Sequence, residues 1–326
     1  MTGRRFLACA VAAFALAACS ADVGGGAGEA AAQASQSDTA DVRSGTLQSP
    51  RPAAGTSEDW RIAREKIQWV RESGADGDMD FGEVLGAIGE QFLGTKYEPH
   101  TLELPGTESL VINLEVLDCV TFVENVLTLA RLVRRVDPEV LEDSVRFQAA
   151  FKDELTRIRY RGSTVDGYAS RLHYFSEWME VNDEKGIVDH ISEEIGGTLD
   201  PTPIDFMSTH ADAYAQLEDP NILAQIVQIE ARIGRTDRFF IPADEIEAQA
   251  HLIRTGDVIA ATSTVDGLDV AHTGIAVWRD GELRLLHAPL VGSEVQLSER
   301  SLAERIKGIS GQDGIMVARP VDPAGQ

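Results

Sequence analysis

Cys119 is the residue whose type and setting most directly suggest chemistry. It heads the stretch CVTFVENVLTLARLVRR, in which Val120, Val123, Val126, Leu127, Leu129, Ala130 and Val133 recur at helical spacing. Arg131, Arg134 and Arg135 load the far end, which suits the helix dipole. The pattern predicts a helix of about four turns opening at Cys119. A thiol there sits among unpaired backbone N–H groups, which favour the reactive thiolate. The same apolar pattern would also suit an idle, buried cysteine. A nucleophile therefore needs support from a base and from what the other cysteines do.

The base is offered near the C-terminus. Ala271-His-Thr-Gly-Ile-Ala-Val-Trp278 and Leu283-Arg-Leu-Leu-His-Ala288 are strand-like runs joined through Asp280-Gly281, a strong hairpin signal. With that turn, Arg279 faces Glu282 and His287 faces Gly274, two positions from His272. Side chains alternate, so both imidazoles project to one side of the sheet, diagonal neighbours roughly 7–8 Å apart at Cα. Such a pair can serve a cysteine as base and as orienter of the base. Two histidines could also begin a zinc site, but three or four ligands are needed and no HxH or CxxC spacing supplies them. No metal or other cofactor is expected.

These residues must be positioned by an α+β body. Helices are expected over 60–72, 81–92 (stopped by Gly94), 119–135, 139–158, 219–233 and 302–306, with another running from Pro242 to Ile253. Extended runs are expected at 101–104, 110–114, 258–261, 271–278, 283–288, near Val295 and at 314–319. The acidic Gly74–Asp80 stretch lacks the glutamate of a calcium loop and reads as a solvated cap for the next helix. Residues 137–235, rich in aromatics and glycine, read as a helical and irregular insertion within one catalytic body. Helices first and a small antiparallel sheet last make an α+β arrangement.

The formal net charge of -24 argues against a nucleic-acid partner and against electrostatic docking on anionic lipid. Arg4 and Arg5 precede an apolar run, Phe6 to Ala18, too short to span a bilayer comfortably. It ends in Leu16-Ala17-Ala18-Cys19, which resembles the lipobox of bacterial lipoproteins. That resemblance implies a signal peptide over 1–19 and a lipid on Cys19; an ordinary secretory cleavage is the alternative. Both export the chain to the cell envelope, and Ser20 fits onward sorting to an outer membrane where the cell has one. Residues 20–59, mostly Ala, Gly, Ser, Gln, Thr and Asp, read as a disordered tether, leaving 60–326 as the catalytic domain. Of three cysteines, Cys9 falls in the leader and Cys19 is taken by lipid. Cys119 then has no disulfide partner in an oxidising compartment, a liability unless it is buried or has chemistry to do.

A lone cysteine at a helix start, a strand opening His-Thr-Gly-Ile and a next strand ending Leu-His-Ala resemble the NlpC-type cell-wall cysteine hydrolases, which have papain-like folds. More closely, the chain is similar to the N-acetylmuramoyl-L-alanine amidase-like family. The matching pieces are NLEVLDCVTFVEN (113–125), YRGSTVDGYASRLHYFSEW (160–178), Gly256-Asp257, AHTGIAVW (271–278) and LLHAP (285–289). The resemblance implies Cys119 as nucleophile, His272 as general base and acid, His287 as orienter, and a peptidoglycan substrate cleaved between the lactyl group and L-alanine. Asp118 matches the superfamily's Asp-Cys pair, although Val120-Thr121 stand where Ser-Gly usually follows. Tyr97, in Gly94-Thr-Lys-Tyr97, resembles a site tyrosine. Arg159, Arg161, Arg171, His173 and Tyr174 are candidates for substrate contact, with surface ion pairs and core packing as their ordinary alternative. A stem-peptide endopeptidase, a thiol acyltransferase and a non-catalytic wall-binding lipoprotein remain open.

Overall fold

The computed structural model describes residues 55–74 and 79–325. The expected signal peptide, the lipid-bearing Cys19, nearly all of the tether and the middle of the acidic stretch lie outside the described residues. No helix among the described residues is long and apolar enough to cross a membrane.

The body begins with α1 (Ser57–Glu72), three residues before Trp60. Thr56 and Asp59 close a capping box there, two side chains that satisfy the helix's first N–H groups. Then follow α2 (Phe81–Glu90), α3 (Cys119–Arg135), α4 (Pro138–Glu142) and α5 (Ser144–Arg159). Between α2 and α3, β1 (Lys96–Tyr97) and β2 (Val116–Leu117) form a two-stranded parallel pair. The expected strand at 101–104 is a turn instead, because its side chains are engaged elsewhere: Thr101 bonds Asp118, and Glu103 bonds Arg171 and Tyr168. Residues 110–114 belong to no strand, and the run bends at Leu114. Their backbone groups are met by side chains, with Asp59 accepting from Leu114 N–H and Arg159 donating to Val111 C=O.

The insertion holds α6 (Phe175–Glu184), β3 (Val188–His190), β4 (Thr198–Asp200), α7 (Phe206–Thr209) and α8 (Pro220–Ile233). Two of its segments are strands of the main sheet, so it is structurally continuous with the core. Beyond it, β5 (Arg238–Pro242) corrects the helix expected from Pro242. Ile241 and Pro242 pair with Ile315 and Gly314, and the helical part shrinks to the short α9 (Ile246–Gln249) and a single 3-10 turn over Ala250–Leu252. Gly314 permits this pairing, since a Cβ there would stand 2.4 Å from the Ile241 carbonyl oxygen.

The remaining strands are β6 (Val258–Ser263), β7 (Val270–Arg279), β8 (Glu282–His287), β9 (Gln296–Leu297) and β10 (Gln312–Pro320), with α10 (Leu302–Gly308) before the last. The sheet order is β4-β5-β10-β6-β7-β8-β9, with β3 also on β10, and every pairing is antiparallel. The architecture is α+β, as expected. One sheet face, with Val258, Ala260, Ile275, Val277 and Leu286, packs on α2 and α3, and α1 packs on those two helices in the same core. The other, with Ile259, Ala261, Ala276, Leu283 and Leu285, packs on Leu302 and Ile306 of α10. A third cluster of Tyr168, Tyr174, Phe206, Met207, Ile226 and Ile233 fills the insertion.

Candidate active site

The first turn of α3 is fixed by reciprocal capping. Asp118 Oδ1 accepts from the Thr121 N–H and hydroxyl, both at 2.8 Å, while the Asp118 N–H donates to Thr121 Oγ1 at 2.9 Å. The other carboxylate oxygen accepts from Thr101 at 3.0 Å. Thr121 thus gives the Val-Thr departure from Ser-Gly a role, and its signal was already present as Asp-x-x-Thr at the head of an apolar run. Cys119, the first residue inside the helix, is half-buried.

Two connections bring this helix start toward the hairpin. Leu117 pairs with Tyr97, whose N–H donates to Ser293 C=O at 2.7 Å, and Thr95 C=O accepts from Val295 N–H at 2.7 Å. The next residue, Gln296, lies opposite His287. From the other side, Asp118 and Val120 share a cleft with Leu268, just ahead of β7.

The hairpin has the expected register, with Arg279 opposite Glu282 and Ile275 opposite Leu286. Asp280 and Gly281 take φ of 55° and 80°, the left-handed pair that a two-residue turn requires. His272 Nε2 and His287 Nδ1 are 2.8 Å apart, with the rings nearly perpendicular. The two side chains are 2% and 1% exposed. Burial holds both imidazoles well below their ordinary pKa; Arg305 adds to this for each, and His272 adds to it for His287. The pair is therefore neutral near pH 7, with one ring proton shared between them. His287 Nε2 is buried without a hydrogen-bond partner.

The histidines lie on the α10 side of the sheet, alternating with Ile275 and Leu286, which meet α2 and Phe122 of α3. A bulge between His272 and Val270 returns Val270 to the α3 side. The histidine face is thus the one turned away from α3, and the start of β7 is where the strand's side chains change sides.

The cleft beside Asp118 and Val120 has a volume of about 220 Å³ and brings together Arg159, Arg171, His173 and Tyr174 of the expected substrate contacts. Arg159, 1% exposed, donates from Nε to Glu124 at 2.6 Å and from Nη1 to Val111 C=O at 2.6 Å. Burial raises the Glu124 pKa, and Arg159 opposes that shift. Arg171 bonds Glu103 at 2.6 Å and lies over the Tyr168 ring. His173 shares a 2.8 Å hydrogen bond with Tyr168 C=O, and burial with Arg171 keeps its pKa well below the ordinary value. Tyr174 donates to Glu230 at 2.7 Å and accepts from Met207 N–H. Tyr97 sits in the β1 connection, outside the cleft lining. Arg161 is turned away, held by both oxygens of Glu177 at 2.7 and 2.9 Å.

Sequence reasoning missed Glu103, Glu124, Asp269 and Arg305. Asp269, 3% exposed, accepts from the N–H groups of Ser176 and Val270, tying the start of α6 to the start of β7. Glu124 carried a faint signal, a charge one residue along from the apolar Val123 inside a buried helix. Among the described residues, no group of three or more His, Cys, Asp or Glu could hold a metal ion.

A family model described as AmiA-like, N-acetylmuramoyl-L-alanine amidase-like, matches residues 87–313. A crystal structure of an N-acetylmuramoyl-L-alanine amidase from Bacteroides uniformis is 33% identical, with a TM-score of 0.67 over 74% of this chain and 99% of that one. A Bacteroides fragilis protein carrying a provisional xylanase label is also 33% identical, with a TM-score of 0.64 over 71% of this chain and 98% of that one. A Legionella pneumophila protein at 20% identity and TM-score 0.57, over 82% and 97% of the two chains, shares the fold. No curated protein matches the chain.

Proposed function

The chain belongs to the N-acetylmuramoyl-L-alanine amidase-like family, and from that premise we propose that it is a cysteine amidase with an NlpC-type, papain-like core. It hydrolyses the amide between the muramoyl lactyl group and L-alanine in peptidoglycan or its fragments. Family membership and the named Bacteroides uniformis neighbour support a cell-wall amidase function. The observation that carries the cysteine mechanism is the buried His272–His287 pair joined at 2.8 Å, in a chain with a cysteine at a capped helix start.

In this mechanism His272 takes the Cys119 proton and the thiolate attacks the lactyl carbonyl, forming a C–S bond. The Cys119 backbone N–H meets the developing oxyanion. The tetrahedral intermediate expels the alanine nitrogen, which takes the proton from His272. Water, deprotonated by His272, then cleaves the thioester and returns the thiol. His287 holds the His272 ring. No cofactor is needed. Asp118, Arg159, Arg171, His173 and Tyr174 border the substrate cleft, Tyr97 supports it from β1, and Arg161 is held away from it by Glu177. Glycoside hydrolysis would call on two carboxyl groups flanking the bond, whereas Glu103 and Glu124 of the cleft are each held by a guanidinium. We place the enzyme in the cell envelope, exported and anchored through a lipid on Cys19.

The test is incubation of the soluble body with muramyl peptides, products identified by mass, alongside Cys119→Ala. Release of an intact peptide beginning with L-alanine is expected. Cleavage inside the stem would make the enzyme an endopeptidase. No cleavage, with a Cys119 unreactive to iodoacetamide near neutral pH, would leave a wall-binding lipoprotein.

A further inference from the structure

Arg161 leads to a second surface. Beyond the cleft, a groove of about 730 Å³ runs between the loop after α5, with Asp166 and Ser170, and the outer side of α8. Gln225, Gln228, Arg232 and Arg235 fall at intervals of three, four and three residues, so they form one stripe roughly 15 Å long. Ile229 and Ala169 supply small apolar patches in the lining.

The charge of this groove runs against that of the protein. Arg161 and Arg232 both pair with Glu177, which is 0% exposed, so two guanidinium groups crowd one buried carboxylate. Burial and the neighbouring Arg161 both disfavour the charged form of Arg232. Arg235 adds a third cation on the exposed rim, and Asp166 is the acid facing them. An anion entering the groove would relieve the repulsion between Arg161 and Arg232, and the bidentate Arg161–Glu177 pair already fixes one guanidinium for it. In a chain of net charge -24, such a local surplus is the complement of an extended anionic ligand.

We propose that this groove binds carboxylates of polymeric peptidoglycan, holding the wall while the cleft acts on one of its linkages. The identity of the polymer rests on the amidase reading; the charge and shape of the groove do not. The groove binds the polymer without taking part in the chemistry, so it affects insoluble wall and spares small fragments.

The test compares the wild type with a Gln228→Ala/Arg235→Glu variant, both positions being exposed, by co-sedimentation with purified insoluble peptidoglycan on ice. The variant should lose wall binding by about fivefold or more, as expected for reversing a rim charge and removing an amide contact. Its melting temperature and its turnover of soluble muramyl peptides should match the wild type. Amidating the wall carboxylates, or raising ionic strength, should release the wild type. Equal sedimentation of variant and wild type would overturn the proposal. So would undiminished binding to amidated wall, or a parallel fall in fragment turnover. Sedimentation needs no turnover, so a protein that binds wall but cleaves nothing fails the amidase reading alone.

Discussion

Arg159 and Arg161 stand two residues apart, yet they belong to different regions. Arg159 points inward, 1% exposed, and joins Glu124 of α3 beside the cleft. Arg161 points outward, and its partner Glu177 is shared with Arg232 over the open groove. The inner arginine completes a buried pair whose two members were both withdrawn from water. The outer one is a partly solvated cation with charge to spare. The difference teaches that the same residue type at the same helix end can build a site wall or a ligand surface, depending on which carboxylate lies opposite.

The sharpest way to separate the regions is to remove the Cys119 thiol. Cys119→Ala should lower amide hydrolysis by about 10⁴-fold or more, while wall sedimentation is unchanged; residual turnover near wild type would end the cysteine mechanism. Next comes stability. Arg159→Ala strands a buried Glu124 carboxylate and should cost about 3–5 kcal/mol, read by urea unfolding. Arg161→Ala leaves Glu177 its bond to Arg232, and its partly exposed pair is discounted for solvent, so about 1 kcal/mol is expected. Equal costs would mean that the two arginines are buried alike.

A smaller effect is expected from His287→Ala. Losing the group that holds the His272 ring should reduce kcat by about 10–100-fold with KM nearly constant; a change confined to KM would point to a substrate contact instead. The smallest concerns pH. Both histidines are held below the ordinary value of 6.5, first by burial and then with Arg305 contributing. The acid limb of kcat/KM should therefore lie below pH 6.5, and Arg305→Gln should move it upward. For stability the sign is the same. Below pH 6.5 the unfolded chain binds histidine protons that the folded chain refuses, so folding weakens as pH falls toward the lowered native values. An acid limb that stays put in the Arg305 variant would remove that residue from the pair's electrostatics.

Much of this was legible locally. The helix opening at Cys119 follows from apolar spacing and a capping aspartate. The hairpin register follows from Asp280-Gly281, so the meeting of His272 and His287 could be counted out along the chain. What failed were segments whose fate depends on distant partners. Residues 101–104 carry strand-like residues, but their side chains are drawn to Asp118, Arg171 and Tyr168. Residues 238–242 are a strand because β10 offers a glycine at the point of closest approach. Five of the seven expected substrate positions border the cleft; Arg161 does not, because Glu177, sixteen residues on, turns its guanidinium toward the groove.

By itself the sequence determined the class of architecture, the place of Cys119 at a helix start and the pairing of two histidines. Each depends on periodicity, capping or a two-residue turn, which act over a few residues. Only the tertiary structure decided that α3 and the histidine pair lie on opposite sheet faces, with a bulge at the start of β7. It alone made the insertion part of the sheet, and set one arginine in the core and the next at an open groove. Those outcomes depend on which groups meet after folding, where burial forces every charge to find a partner across long stretches of chain.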